Sequence, residues 1–164
     1  MVQIQQVALF WVVASLLLGM PALAQQTEED EPKPPRSYIG IGGNIGLSGD
    51  DSAIGEGGFA IVNRTRIIDY LSVRSSTIFG DETTSAIALT GEVPLTNANG
   101  RITAIPFIGG GVSIHGEVDP LISAGVDVPI GRSFTATTRV NVGFGDNETD
   151  VGLILGIGYN FSLF

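Results

Sequence analysis

From Ser37 to the carboxyl end the chain alternates apolar residues with small or polar ones at a period of two, broken by clusters rich in Gly, Asp, Asn and Pro. Successive side chains of an extended backbone point to opposite faces, so this period predicts strands rather than helices. The last stretch, VGLILGIGYNFSLF, shows the pattern most plainly. Val151, Leu153, Leu155, Ile157, Tyr159, Phe161 and Leu163 form one row, and Gly152, Ile154, Gly156, Gly158, Asn160 and Ser162 form the other.

Cut at the turn-type clusters, residues 37–164 yield eight such segments. The first sets Ile39, Ile41, Ile45 and Leu47 against Gly40, Gly42, Asn44 and Gly46. The second carries Phe59 and Ile61 on a face, with Val62 blurring it. In the third, Leu71, Val73 and Phe79 oppose Ser72, Arg74 and Ser76, and in the fourth Ile87, Leu89 and Val93 oppose Ala86, Ala88, Thr90 and Glu92. The fifth, RITAIPFIGGGVSI, is ambiguous, because Ile102, Ala104, Ile108, Val112 and Ile114 compete with Ile105 and Phe107. The sixth sets Ile122, Ala124, Val126, Val128 and Ile130 against Ser123, Gly125 and Asp127, and the seventh sets Phe134, Ala136, Val140, Val142 and Phe144 against Thr135, Thr137, Arg139 and Asn141. The connections are too short for parallel crossovers, so the order is antiparallel and up-and-down.

Eight such strands form either a soluble barrel or sandwich with the apolar rows inward, or a membrane barrel with them outward. Membrane strands need about 9–11 residues at a tilt of about 45° and pair a lipid-facing apolar row with a small or polar lumenal one. A water-exposed face would be charged, yet the only lysine is Lys33 and the rows opposite the apolar ones hold mostly Gly, Ala, Ser, Thr and Asn. Such residues suit a narrow lumen. The expected fold is therefore all-β, an eight-stranded antiparallel up-and-down transmembrane β-barrel.

Charge sharpens the picture in two ways. The connections after the first, third, fifth and seventh strands (49–58, 80–83, 115–120 and 145–150) hold acids without Lys or Arg. The intervening ones carry Arg64, Arg66, Arg101 and Arg132 with Asp69 as the sole acid, so one end of a meander should be acidic and the other basic. Within the strands, Arg74, Glu92, Asp127 and Arg139 lie opposite the apolar rows. Inside a lumen they must compensate one another, since an isolated buried charge is costly. Glu92 and Asp127 stand near strand ends, where a place at the wet rim is the alternative.

The amino-terminal region decides the compartment. Val7 to Met20 is an uncharged apolar run followed by Pro21 and Ala22-Leu23-Ala24, the pattern of a secretory signal peptide over residues 1–24. The run is shorter than the roughly 20 residues a membrane-spanning helix requires. Residues 25–36, QQTEEDEPKPPR, have no apolar face and predict a disordered acidic, proline-rich periplasmic leader. The absence of cysteine excludes disulfides, thiol chemistry and thiolate metal sites. A net charge of −9 with 15% charged residues argues against nucleic-acid binding.

The segments AIPFIGGGVS, SAGVDVPIGRSFTATTRV and GIGYNF resemble strands of the small eight-stranded outer-membrane barrels of Gram-negative-type bacteria, the OmpA-like and OmpX-like barrels of the porin family. The resemblance covers residues 37–164. It implies placement in the outer membrane with both termini and the basic turns periplasmic and the acidic loops extracellular. It also implies contact with outer-membrane lipid and lipopolysaccharide, and a terminal Tyr-x-Phe read by the barrel-assembly machinery. Tyr159 and Phe161 match that signal, but the chain continues through Ser162 and Leu163 to Phe164. Leu153, Leu155, Ile157, Tyr159, Phe161 and Phe164 are thus the expected lipid-facing and assembly-signal residues.

Candidate chemistry is sparse. Some barrels of this kind are lipid A-modifying hydrolases, and Ser113 with His115, close to Glu117 and Asp119, offers a nucleophile and a base. Such neighbours also arise by chance, and no motif supports them. The acids are hard ligands of the type that bind divalent cations, yet no D-x-D-x-D-G loop is present and a solvated surface is the plainer reading. The chain is expected to be a non-enzymatic, monomeric envelope component without cofactor, metal or open pore, in a structural or surface-interaction role. A soluble exported barrel holding a small apolar ligand is the competing class.

Overall fold

A computed structural model describes residues 37–146 and 148–162. The expected signal peptide, the leader and Phe164 lie outside the described residues. The elements are β1 (Ser37–Ser48), α1 (Ala53–Glu56), β2 (Gly57–Ile68), β3 (Leu71–Phe79), β4 (Thr84–Glu92), β5 (Leu95–Thr96), β6 (Ile102–Ile114), β7 (Val118–Ile130), β8 (Phe134–Phe144) and β9 (Thr149–Phe161). Neighbours pair antiparallel in the order β4-β3-β2-β1-β9-β8-β7-β6-β5, and β4 also pairs with β6. That last pairing closes eight strands into a barrel, and closure removes the free edges that an open sheet would present. The two-residue β5 stands outside the ring, folded on the start of β6.

Each barrel strand shows the two rows that its period demands. The apolar row points out: Ile41, Leu89, Ile108, Ile122 and Leu155 are all exposed. Charged residues within the strands belong to the inward row. In β6 the ambiguity is resolved in favour of Ile108 and Val112 facing outward, while Ile105 and Phe107 are buried in the lumen. Periodicity could not choose there because both rows are apolar. Aromatic residues cluster at both ends of the outer surface. Phe59 and Phe79 pair at 6.2 Å near one end, and Phe134 and Tyr159 meet edge-on at 5.7 Å near the other. The ten steps from Phe134 to Phe144 along β8, at about 3.4 Å each and a tilt near 45°, cover about 24 Å along the barrel axis.

Two features depart from expectation. The loop after β1 contains the helical turn α1, whose Ala53 and Ile54 are fully buried. Arg64, expected in a basic connection, instead lies within β2 and inside the lumen, 1% exposed. Counting alternate residues from Phe59 and Ile61 puts Arg64 in the row opposite them; the turn-like look of NRTRIID hid that phase.

Candidate functional site

The barrel interior holds two charged regions of different build. The first is a layer inside the lumen, drawn from the halves of the strands that lie away from the acidic loops. Arg64 and Arg74 sit directly opposite each other on β2 and β3, an arrangement of like charges that is destabilising on its own. Glu92 resolves it. Its Oε2 accepts from Arg64 Nε at 3.1 Å and from Arg74 Nη2 at 3.0 Å, while Oε1 accepts from Arg64 Nη2. Arg74 Nη1 also donates to Asp127 Oδ2 at 2.7 Å, and Arg74 Nε donates to Thr90 Oγ1 at 3.1 Å.

Tyr38 completes the layer. Its hydroxyl donates to Asp127 Oδ1 at 3.1 Å and accepts from Arg74 Nη1 at 3.3 Å. The guanidinium of Arg74 lies over the Phe107 ring, 3.5 Å from its centre, a cation–π contact strengthened by exclusion of water. The glycines of the last strand make room for this packing: a Cβ added at Gly158 would lie 2.8 Å from Cγ of Tyr38. Gly125 is constrained likewise, with Cζ of Phe107 at 2.7 Å from such a Cβ.

Of the four strand charges named from the sequence, Arg74, Glu92 and Asp127 therefore meet in one cluster. Arg139 reaches it through the Phe107 ring, whose centre lies 5.9 Å from the guanidinium carbon. It forms no salt bridge among the described residues, and its Nη1 donates to the Ser75 carbonyl at 3.2 Å across the barrel. Sequence reasoning missed Arg64, Tyr38 and Phe107. The phase of each strand marks Tyr38 as a partner of Gly40 and Gly42 in the inward row, whereas nothing in the sequence specifies which charges touch.

The second region is the mouth formed by the connections after β1, β3, β6 and β8. Here α1 folds into the barrel. Ser52 caps it, accepting from Ile54 N at 3.3 Å while donating to Asp150 Oδ2 at 2.5 Å. Asn44 Nδ2 donates to the carbonyls of Ala53 and Ile54 at 2.8 and 2.9 Å, and Thr84 Oγ1 accepts from Ala53 N at 3.0 Å. Backbone groups that a four-residue helix cannot satisfy internally are thus met by strand side chains. Outside this plug an open pocket of about 280 Å³ is lined by Asp51, Glu82, His115, Glu117, Asp119 and Asp146.

One carboxylate oxygen from each of Asp50, Asp51 and Glu148 lies within 4.8 Å of the others, a spacing that could admit a cation. The hydrogen bond with Asp50 and the negative charge of that residue hold the Glu148 carboxyl above the ordinary glutamate range. His115 Nε2 stands 3.4 Å from Asp119 Oδ2. Ser113 is buried, with Oγ near Gly143, and no hydrogen bond joins it to His115. The nucleophile and base suggested by the sequence are not assembled.

On the outer wall, Leu155, Ile157 and Tyr159 are 47%, 46% and 48% exposed, and Leu153 is half-buried. Phe161 shares their phase but is only 5% exposed.

No protein-family model and no curated protein sequence matches the chain. Solved structures do. The crystal structure of Ail, the attachment invasion locus protein of Yersinia pestis, superposes with a TM-score of 0.51 at 16% identity over 79% of this chain and 100% of that one. The amino-terminal β-barrel domain of Pseudomonas aeruginosa OprF gives 0.53 at 12% identity, over 76% and 96%. Ail in a phospholipid bilayer nanodisc gives 0.51 at 16% identity, over 77% and 99%. The fold is that of the small outer-membrane barrels. Its interior is filled by charged, hydroxyl and aromatic side chains, which does not favour a soluble barrel with an apolar ligand chamber.

Proposed function

We propose that the chain is an integral outer-membrane barrel with a structural or surface-interaction role in the cell envelope. The observation that carries this reading is the outward row of every barrel strand. It is mostly apolar, with Asn63, Thr65, Ser75, Thr77, Ser85 and Thr138 as polar members, and uncharged among the described residues, whereas soluble monomers rarely expose contiguous apolar patches above a few hundred Å². Phe134 and Phe144 at the two ends of β8, about 24 Å apart along the axis, suit the roughly 25 Å apolar band of such barrels.

In this proposal the basic turns and both termini face the periplasm and the acidic mouth faces outward. Lipid and lipopolysaccharide are the contacts of the wall, and the barrel acts as a monomer after the assembly machinery has read the stretch around Tyr159 and Phe161. The charge layer and α1 obstruct the lumen, which supports a role without solute diffusion. An unassembled Ser113 and His115 support a non-enzymatic one.

Membrane fractionation with gel mobility before and after boiling tests the proposal. The folded protein should stay with the outer membrane and shift on heating; recovery in the soluble periplasmic fraction would overturn it. Leu155→Arg, near the middle of β9, should cost about 2–4 kcal/mol in lipid vesicles, and a tolerated arginine would rule out a lipid-facing wall there.

A further inference from the structure

The acidic mouth holds a carboxylate that its surroundings leave half-satisfied. Asp150, the second residue of β9, is 5% exposed. Its Oδ2 accepts from Ser52, whereas its Oδ1 is buried without a hydrogen-bond donor among the described residues. That oxygen points into the loop after β1: it lies against the backbone of Gly49, and a Cβ added at Gly55 would come within 2.7 Å of it. A buried charge needs an opposite charge as well as hydrogen bonds. Asp119, also buried at the mouth, has His115 at 3.4 Å. Asp150 has the Ser52 hydroxyl instead, and the four connections that form this end of the barrel contain no Lys or Arg.

The loop into which Asp150 points carries the rest of the arrangement. Asp50 and Asp51 follow Gly49 directly, and Glu148 stands two positions before Asp150. One carboxylate oxygen from each of Asp50, Asp51 and Glu148 lies within 4.8 Å of the other two. Ligands on a single calcium ion, with bonds of about 2.4 Å, stand up to about 4.8 Å apart, so the trio has the spread of one coordination shell. The charge of Asp150 reaches it: the hydrogen bond with Asp50 and then the charges of Asp50, Asp51 and Asp150 hold the Glu148 carboxyl above the ordinary glutamate range. Asp51 also borders the open pocket of about 280 Å³, which gives hydrated ions a route from solvent. Acids on the other walls of that pocket raise the local concentration of cations.

We propose that Asp50, Asp51 and Glu148 form a binding site for one divalent cation of calcium size, with the buried Asp150 supplying negative charge behind them. Water completes a shell of about six to eight oxygens. Magnesium fits less well, because it demands a near-ideal octahedron with bonds of about 2.0–2.1 Å and gives up its own water reluctantly. Three carboxylates sharing the ion with water place its dissociation constant with those of extracellular calcium modules, about 10⁻⁴–10⁻³ M.

The test uses the full folded chain in micelles of an uncharged detergent. Amide resonances of residues 49–51 and 148–150 should shift and saturate as calcium chloride is added, and magnesium chloride should need about tenfold higher concentration. Asp51→Asn should weaken calcium binding by about tenfold or more, whereas Asp81→Asn, which removes the same charge from the mouth outside the trio, should change it by less than about twofold. Shifts that never saturate, an equal response to magnesium or to sodium chloride at equal ionic strength, or equal weakening by the two substitutions would mean a solvated acidic surface and overturn the site. Should Asp51→Asn fail to fold, the unaltered protein decides: calcium shifts as large over residues 80–83 and 115–120 as over 49–51 and 148–150 refute the assignment.

Discussion

The lumenal layer and the acidic mouth are both crowded with charge, but they are built on opposite rules. In the lumen, Arg64, Arg74, Glu92 and Asp127 are withdrawn from water and alternate in sign, with Tyr38 and Thr90 taking up remaining hydrogen bonds. At the mouth, Asp50, Asp51 and Glu148 lie side by side with like charge, and two of them, Asp50 and Glu148, are exposed. The difference is the solvent. Water screens the repulsion at the mouth, whereas in the lumen each charge has only the groups that touch it. Charge is therefore structural in one region and leaves the surface free to vary in the other.

The largest effect should come from the residue on which the lumenal layer depends. Glu92→Gln leaves the facing pair Arg64 and Arg74 without the carboxylate between them, and breaking a buried pair in this way costs about 3–5 kcal/mol. Asp81→Asn at the exposed mouth should stay within about 0.5 kcal/mol. Urea unfolding of both variants in lipid vesicles compares them directly. Equal stabilities would mean that the lumenal cluster has no more weight than a solvated surface.

The same contrast explains what could be read from the sequence. The strands and their antiparallel order were legible because each apolar row repeats every second residue, as in Leu153, Leu155 and Ile157. The inward placement of Arg74 and Arg139 followed from the same phase. Their partners were not legible. Arg74 meets Asp127 from 53 positions away, a contact set by barrel closure and strand stagger rather than by any local pattern. Where both rows are apolar, as around Ile105 and Ile108, the phase itself was undetermined. The plug α1 was missed because a four-residue turn is too short to show a helical period; its sole signal is the apolar pair Ala53-Ile54 inside an acidic loop.

That plug couples the two regions. Ile54 is fully buried beneath the mouth, and its truncation to Ala should cost about 2 kcal/mol, the low end for a buried large aliphatic residue, since a short loop can relax around the gap. The loss should be local. Hydrogen exchange should accelerate at residues 52–56 and leave the amides around Arg74 unchanged. Faster exchange throughout the lumen would mean that mouth and layer unfold as one unit.

The smallest effect belongs to the exposed acids. Glu148 shares a hydrogen bond with Asp50 and feels the charge of Asp50, Asp51 and Asp150, all of which raise its carboxyl above the ordinary glutamate value. A carboxyl raised by folding adds stability that is complete below the unfolded-state value and lost as pH rises through the folded-state value. The mouth should accordingly tighten as pH falls through a window that opens just above the ordinary glutamate range. Carbon-detected NMR titration of the Glu148 carboxyl should place its midpoint above that of a free glutamate, and Asp50→Asn should bring it down by removing the largest source of charge repulsion. Because these groups are bathed in solvent, added salt should shrink the displacement, whereas the Glu92-dependent stability of the buried layer should hardly respond. A lumenal cluster that proved as salt-sensitive as the mouth would erase the distinction between them.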